Sequence, residues 1–165
     1  MMIRPEESGD EQAIHDLTQT AFATMPYSAG SEGAIIDALR KDGDLILSLV
    51  AVEGDRTVGH VAFSPVAIEG VHDGWFGLGP ISVAPELQRR GIGRALIAAG
   101  LDALRQRGAS GCVLVGDPAY YSRSGFACNE ALQVGDLDRK YVQFLVFKGP
   151  EPRGSLKFAP GFGLQ

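Results

Sequence analysis

The 165-residue sequence predicts an α/β (α+β) fold: a mixed central sheet, antiparallel in its first half, with a parallel strand pair in its second half and helices on its flanks. Three observations predict it. The β-rich runs "LILSLVAVE" and "TVGHVAFSPVAI" meet at Gly54-Asp55, a turn signal that makes them an antiparallel hairpin. "GPISVAP", a long helical pattern and "CVLVG" follow one another as a strand–helix–strand crossover, so those two strands run parallel. Two amphipathic helical patterns precede the hairpin, and such faces need a sheet to cover.

Each element has a local reason. "IRPE" reads as a short first strand. "SGDEQAIHDLTQTAF" opens with Ser8 three residues before Glu11, a capping box, and Ile14, Leu17 and Ala21 recur at helical spacing. "SEGAIIDALR" gives a second helix, capped by Ser31, with Ile35, Ile36 and Leu39 inward. "LILSLVAVE" is almost continuously apolar, as a strand buried on both faces is. "WFGLGPISVAP" is a strand interrupted by Gly79-Pro80, a bulge or edge signal, because proline cannot donate to a ladder. In "RALIAAGLDALRQRG", Leu96, Ile97, Leu101 and Leu104 share one face. Arg105 and Arg107 suit that helix's negative end, Gly108 stops it, and Gly100 is read as close packing on the sheet. Asp117-Pro118 starts a short helix, with Asp as cap and Pro in the first turn, ending at Gly125. "YVQFLVF" and "SLKF" are late strands. The expected order is β-α-α-β-β-β-α-β-α-β-β, in one domain over 1–165.

Composition narrows the function. Net charge is −5, which argues against broad electrostatic binding to nucleic acid. The longest apolar run falls well short of the ~20 residues that cross a bilayer. Cys112 and Cys128 have no metal-ligand or disulfide spacing; both are read as reduced core thiols, which suits a cytoplasmic protein without a metal.

Against that acidic balance, "PELQRRGIGR" places Arg89, Arg90 and Arg94 around Gly91-Ile92-Gly93 where a strand ends and a helix begins. Helix N-termini carry unpaired N–H groups and partial positive charge. Two glycines let an anion reach the backbone, and the arginines add forked donors for phosphate oxygens. A plain strand–helix turn needs only one glycine and one charge; this combination is a diphosphate site. It is not a dinucleotide fingerprint, since Leu96 stands where the third glycine belongs, and it lacks the Gly-Lys-Ser/Thr of a Walker loop. In the broken strand, Ile81, Ser82 and Val83 follow the bulge signal, where main-chain groups left unpaired can take an extended, amide-bearing ligand as an added strand.

The string Gln88-x-x-Gly91-x-Gly93, after a Gly-Pro-broken strand and before a long helix, resembles the coenzyme-A loop of the GNAT superfamily of N-acetyltransferases. The resemblance covers "LGPISVAPELQRRGIGRALI" to "VGDPAYYSRSGF" and is similar to a bacterial branch of predicted acetyltransferases without a defined substrate. It implies the GNAT acyl-CoA N-acyltransferase fold, acetyl-CoA as cosubstrate and no metal. It implies that the broken strand splays from "CVLVG", with pantetheine in the gap and the Val83 N–H on the thioester carbonyl. Gln88, Arg89, Arg90, Gly91, Ile92, Gly93 and Arg94 would hold the diphosphate. Tyr121 holds the family's position four residues before the Gly of Gly125-Phe126, which implies that its phenol protonates the departing thiolate or hydrogen-bonds to it. An unperturbed phenol, pKa about 10, lies close enough to a thiol's about 8.5 for transfer. Tyr120 is read as packing first and as a cofactor contact second. Family members often carry Asn where this chain has Asp117 or a neighbour; Asp117 is read as the helix cap.

An attacking amine must lose a proton. Glu32, His60, Glu69, His72 and Asp73 are the candidates. Glu32 begins the helix that borders the acceptor cleft in the family, where a charge–dipole role competes. His60 lies mid-strand and faces either cleft or core. Glu69, His72 and Asp73 belong to a polar loop, and His15 is read as exposed. The expected reaction is acetyl transfer to a primary amine of a small molecule, peptide or protein by direct attack in a ternary complex. The alternatives are a non-catalytic CoA or acyl-CoA sensor or scaffold, and a phosphate- or nucleotide-binding protein unrelated to CoA. No membrane partner is expected, and the C-terminal strands leave room for a homodimer.

Overall fold

The structure, a computed structural model, describes residues 1–163. β1 (Met2–Pro5) pairs antiparallel with β2 (Leu47–Glu53), and β2 with β3 (Arg56–Pro65) across the Gly54-Asp55 turn. α1 (Glu11–Phe22) and α2 (Glu32–Lys41) lie between β1 and β2 in the chain. After β4 (Ala67–Ile68), β5 (Trp75–Val83) returns antiparallel to β3. α3 (Ile92–Gln106) crosses to β6 (Gly111–Val115), parallel to β5. α4 (Pro118–Tyr121), β7 (Leu132–Gln133), β8 (Val142–Val146) and β9 (Gly154–Lys157) complete the chain. The main sheet has six strands in the order β1-β2-β3-β5-β6-β8, and β4-β9-β7 form a second, three-stranded sheet.

The two faces of the main sheet bury different things. Val61, Phe63 and Leu78 pack against Ile92, Leu96, Ile97, Leu101 and Leu104 of α3. Gly100 lets that helix close on the sheet: a Cβ there would run into the Phe63 ring. Val50 meets Ile14 and Ile36 on the opposite face, under α1 and α2. Val66, Trp75, Val113, Val142 and Phe144 form a further cluster with Leu132 and Leu156 of the small sheet and Phe158 just after it.

Several local expectations change. The Ser8 box does not form; the helix N-cap is Asp10, whose carboxylate is taken by Arg4 (2.7 Å) and the Glu7 N–H (2.7 Å). Glu11 still reaches back, accepting from the Gly9 N–H at 2.9 Å. Ser31 sits at the N-cap of α2 without a side-chain cap bond. Cys112 is buried as expected, but Cys128 is exposed rather than in the core. The expected strand through Ile68 ends at Pro65, and Ala67–Ile68 pair with β9 as β4; β7 was not foreseen, since two residues carry no periodicity.

The bulge in β5 decides the rest. Val61 pairs with Ile81 and Phe63 with Leu78, so Gly79 and Pro80 stand opposite Ala62 alone. The extra residue shifts the alternation by one. Ile81 and Val83 therefore join Phe76 and Leu78 on the α3 side, and Ser82 turns to the α1 side.

Candidate active site

The parallel pairing of β5 with β6 is short. It joins Trp75, Phe76 and Gly77 to Gly111, Cys112 and Val113, and then stops. Beyond it β5 pairs only with β3, and Leu114 and Val115 only with β8. The sheet opens there, at the carboxyl ends of both parallel strands, where open α/β sheets bind ligands.

Main-chain direction in the gap follows from one bond. The Ala84 N–H donates to the Val58 carbonyl at 2.9 Å. N–H and C=O groups alternate along a strand, so Ser82 also faces β3, whereas Ile81 and Val83 present theirs to the gap. The Gln88 amide donates to the Val83 carbonyl at 3.2 Å, which agrees. Ser82 itself is buried and its hydroxyl donates to Thr18 at 3.2 Å, so neither its main chain nor its hydroxyl proton is free for a ligand in the gap.

α3 starts beside this gap. Gly91 caps it in the left-handed region (φ 88°), and Arg89 is also left-handed (φ 66°). A left-handed residue next to a helical one turns successive N–H groups toward one point, an anion-binding nest. Ala95 is bonded back to Gly91, which leaves the amides of Ile92, Gly93 and Arg94 in the unpaired first turn. The Ile92 side chain lies in the core, so only its amide is available. Gln88, Arg89, Arg90 and Arg94 are exposed, and the three arginines make no salt bridge among the described residues.

α4 comes up on the far side of the gap, its Asp117 cap accepting from the Ala119 N–H at 2.9 Å. The Tyr120 hydroxyl lies against Gly93; a Cβ there would fall 2.5 Å from it. Burial pushes the Tyr120 phenol up, against the pull of Arg94 and Arg123. Tyr121 turns inward, its ring 4.9 Å from Tyr120 and 6.2 Å from Phe126, both edge-on, over a glycine at 116 where a Cβ would strike it. Burial raises the Tyr121 pKa strongly, with Tyr120, Tyr27 and Asp117 adding to it. The close match to a thiol is thereby lost, which favours a donated hydrogen bond over full proton transfer.

Among the candidate bases, Glu69, His72 and Asp73 precede the start of β5, whose first residue lies roughly 26 Å from Val83 at ~3.3 Å per residue. The Glu32 carboxylate accepts from Ser28 of its own loop at 2.6 Å. His15 is paired with Asp37 at 2.9 Å. His60 is fully buried, and burial first, with Arg40 assisting against Glu6, lowers its pKa to about 4. It is only half satisfied: Nε2 lies 2.8 Å from the Ser48 hydroxyl, and Nδ1 has no partner.

Sequence reasoning missed three participants. Tyr27, 76% exposed in the 23–31 loop, is close enough to Tyr121 to act on its ionisation. Ser48 and Glu6 form the chain that ends at His60. The one readable signal was Ser48, a lone polar residue inside an apolar strand. Two open clefts of about 480 and 580 Å³ lie away from the carboxyl end of β5; the larger, lined by Val71, Trp75 and Lys148, takes in Asp73 but none of the other candidate bases.

The model of the acetyltransferase (GNAT) family matches residues 12–126. The uncharacterized N-acetyltransferase YhbS of Escherichia coli (strain K12) is 38% identical over 127 residues, 76% of this chain and 73% of the relative. A crystal structure of a GNAT family acetyltransferase from Brucella melitensis in complex with acetyl-CoA superposes with a TM-score of 0.88 at 45% identity, over 98% of this chain and 97% of that one. That of E. coli YhbS in complex with CoA gives 0.90 at 30% identity, over 98% and 91%.

Proposed function

The chain belongs to the GNAT family of acetyltransferases, and from that premise we propose that it moves the acetyl group of acetyl-CoA to a primary amine by direct attack in a ternary complex. The observation that carries this reading is the opening of the sheet after Gly77 and Val113, with the free amides of α3 and the outward main chain of Val83 on the same opening.

Bound there, acetyl-CoA supplies the thioester as acyl donor. The amides of Ile92, Gly93 and Arg94, with the Arg89, Arg90 and Arg94 side chains, hold its diphosphate, and the Tyr120 hydroxyl closes over it. Ile81 and Val83 pair with the pantetheine amides as a neighbouring strand would. The Val83 N–H donates to the carbonyl oxygen as it becomes an oxyanion. The Tyr121 hydroxyl, kept protonated by burial, donates to the sulfur as it leaves. The loop bearing Tyr27, and Glu32 behind it, border the acceptor side. Holding amine and thioester together supplies much of the rate. Net charge favours a cationic small amine or peptide over a nucleic acid.

The test combines binding with turnover. Acetyl-CoA should raise the melting temperature, and NAD or ATP should not. Acetyl-CoA consumption is then followed across n-butylamine, spermidine and a lysine-containing peptide, with mass spectrometry of the product. Tight CoA binding with no amine acetylated would favour a CoA-binding module without catalysis.

A further inference from the structure

A line of polar side chains runs across three neighbouring strands of the main sheet. The Arg40 guanidinium donates to both oxygens of Glu6, at 2.8 and 3.2 Å. The Ser48 hydroxyl of β2 lies 2.7 Å from Glu6 and 2.8 Å from Nε2 of His60 in β3. The direction of each bond is fixed. An ionised carboxylate only accepts, so the Ser48 proton points to Glu6. Ser48 must then accept from His60, which places the imidazole proton on Nε2 and leaves Nδ1 as a bare lone pair.

Burial works against the Glu6 charge, but the bonds from Arg40 and Ser48 outweigh it and hold its pKa below the usual value. The carboxylate is therefore ionised at neutral pH, as the assignment requires. Burial likewise keeps the imidazole neutral down to about pH 4. Every hydrogen in the line points outward, toward Glu6, whose side chain is 16% exposed. Such a line takes up a proton at its inner end only.

That inner end is an unpartnered acceptor in a fully buried side chain. Leaving it unpaired costs the full desolvation of that nitrogen, which an apolar residue would avoid. Directly across from His60 stands Ser82 of β5. Opposed Cβ atoms in an antiparallel pair lie about 4.5–5.5 Å apart. Ser82 donates to Thr18 and keeps its lone pairs. A water between Nδ1 and the Ser82 hydroxyl would donate to both. The next residue is Val83, whose main chain faces the gap.

We propose that His60, Ser48 and Glu6 form a proton relay that deprotonates the attacking amine through a water held by His60 and Ser82. It rests on the transferase reading above and supplies the base that reading lacks. The amine nitrogen bonds to the thioester carbon, and the carbon–sulfur bond breaks with its electron pair on sulfur. The surplus amine proton passes through the water to Nδ1. The Nε2 proton moves to Ser48, the Ser48 proton to Glu6, and Glu6 releases a proton to solvent. Once the products have left the gap the same transfers run in reverse, Nδ1 returning its proton through the water to solvent, and the starting tautomer is restored. Because Nε2 gives up its proton as Nδ1 gains one, the weakly basic imidazole never has to store the charge. The groups facing it are Glu6 from the end of β1, Arg40 from α2, Ser48 from β2, Ser82 from β5 and Thr18 from α1.

Ser48→Ala cuts the line and leaves His60 and the gap in place. With acetyl-CoA and the best acceptor among n-butylamine, spermidine and the lysine peptide, it should lower kcat about tenfold or more, at the low end for lost acid–base help. The KM for acetyl-CoA should stay unchanged, and Ser48→Thr should recover most of the rate and the wild-type pH profile. Nitrogen-15 NMR of the unaltered protein at pH 7 should show His60 protonated on Nε2 alone. A rate untouched by Ser48→Ala, a kcat loss matched by lost acetyl-CoA affinity, or an Nδ1-protonated His60 each overturns the relay and leaves the transferase reading standing. No turnover by the unaltered protein overturns both.

Discussion

At the scale of single residues, Tyr121 and Tyr120 show how one position of difference separates two jobs. Neighbours on a helical turn point in different directions. Tyr120 reaches out to Gly93 at the mouth of the anion site, and Tyr121 turns in toward Phe126. Tyr121→Phe keeps the ring and its packing and removes only the hydroxyl. We expect kcat to fall roughly 10- to 100-fold, the worth of one hydrogen bond to a charged sulfur, with the acetyl-CoA dissociation constant within about twofold by calorimetry. An unchanged kcat would remove Tyr121 from the chemistry. The family resemblance pointed to Tyr121, through its spacing to Gly125-Phe126. Its strongly raised pKa was not legible, because burial, and the charge of groups such as Tyr27 that are remote in sequence, depend on the fold.

At the scale of elements, the site is the place where two strands stop pairing and a helix begins. Gly79-Pro80 announced an irregular strand, and the bulge it makes turns Ile81 and Val83 to one face and Ser82 to the other. The residues alone left open which of the three would present main chain to the gap, since direction depends on register with β3; only the family resemblance singled out Val83. α3 is held over the gap by contact of its backbone with the sheet at Gly100. Gly100→Val pushes against Phe63 and should cost about 1–3 kcal/mol, measured by urea unfolding. Because α3 carries the proposed anion site on its first turn, acetyl-CoA affinity should weaken with it. Stability within ~0.5 kcal/mol of the unaltered protein would mean that the helix packs elsewhere.

At the scale of the whole molecule, the two sheet faces have separate tasks. One packs α3 against a purely apolar layer. The other, beneath α1 and α2, hides the line from Arg40 to His60. That line makes global stability sensitive to pH. The folded imidazole stays neutral to about pH 4, whereas the unfolded chain takes up its proton near 6.5. Between these values the unfolded state binds more protons. Stability is therefore complete above pH 6.5 and falls as the pH drops toward 4, by up to about 3 kcal/mol. Glu6, with its lowered pKa, adds to the loss below its ordinary 4.5. Urea unfolding from pH 7 to 4.5 should show this slope, and His60→Gln should flatten it. A flat profile in the unaltered protein would mean that His60 is protonated in the folded state.

The sequence by itself determined the order of the main elements, the parallel pair, the glycine turn before α3 and the family, because each depends on residues adjacent in the chain. Periodicity sets helix and strand, glycine and proline set the breaks, and a phosphate loop is one continuous segment. Tertiary structure alone decided which groups face the gap and what lies behind it. Glu6, Ser48 and His60 are far apart in sequence and meet only because β1, β2 and β3 lie side by side in one register. Hydrogen bonds and desolvation act over a few ångströms of space, and no local pattern encodes that distance.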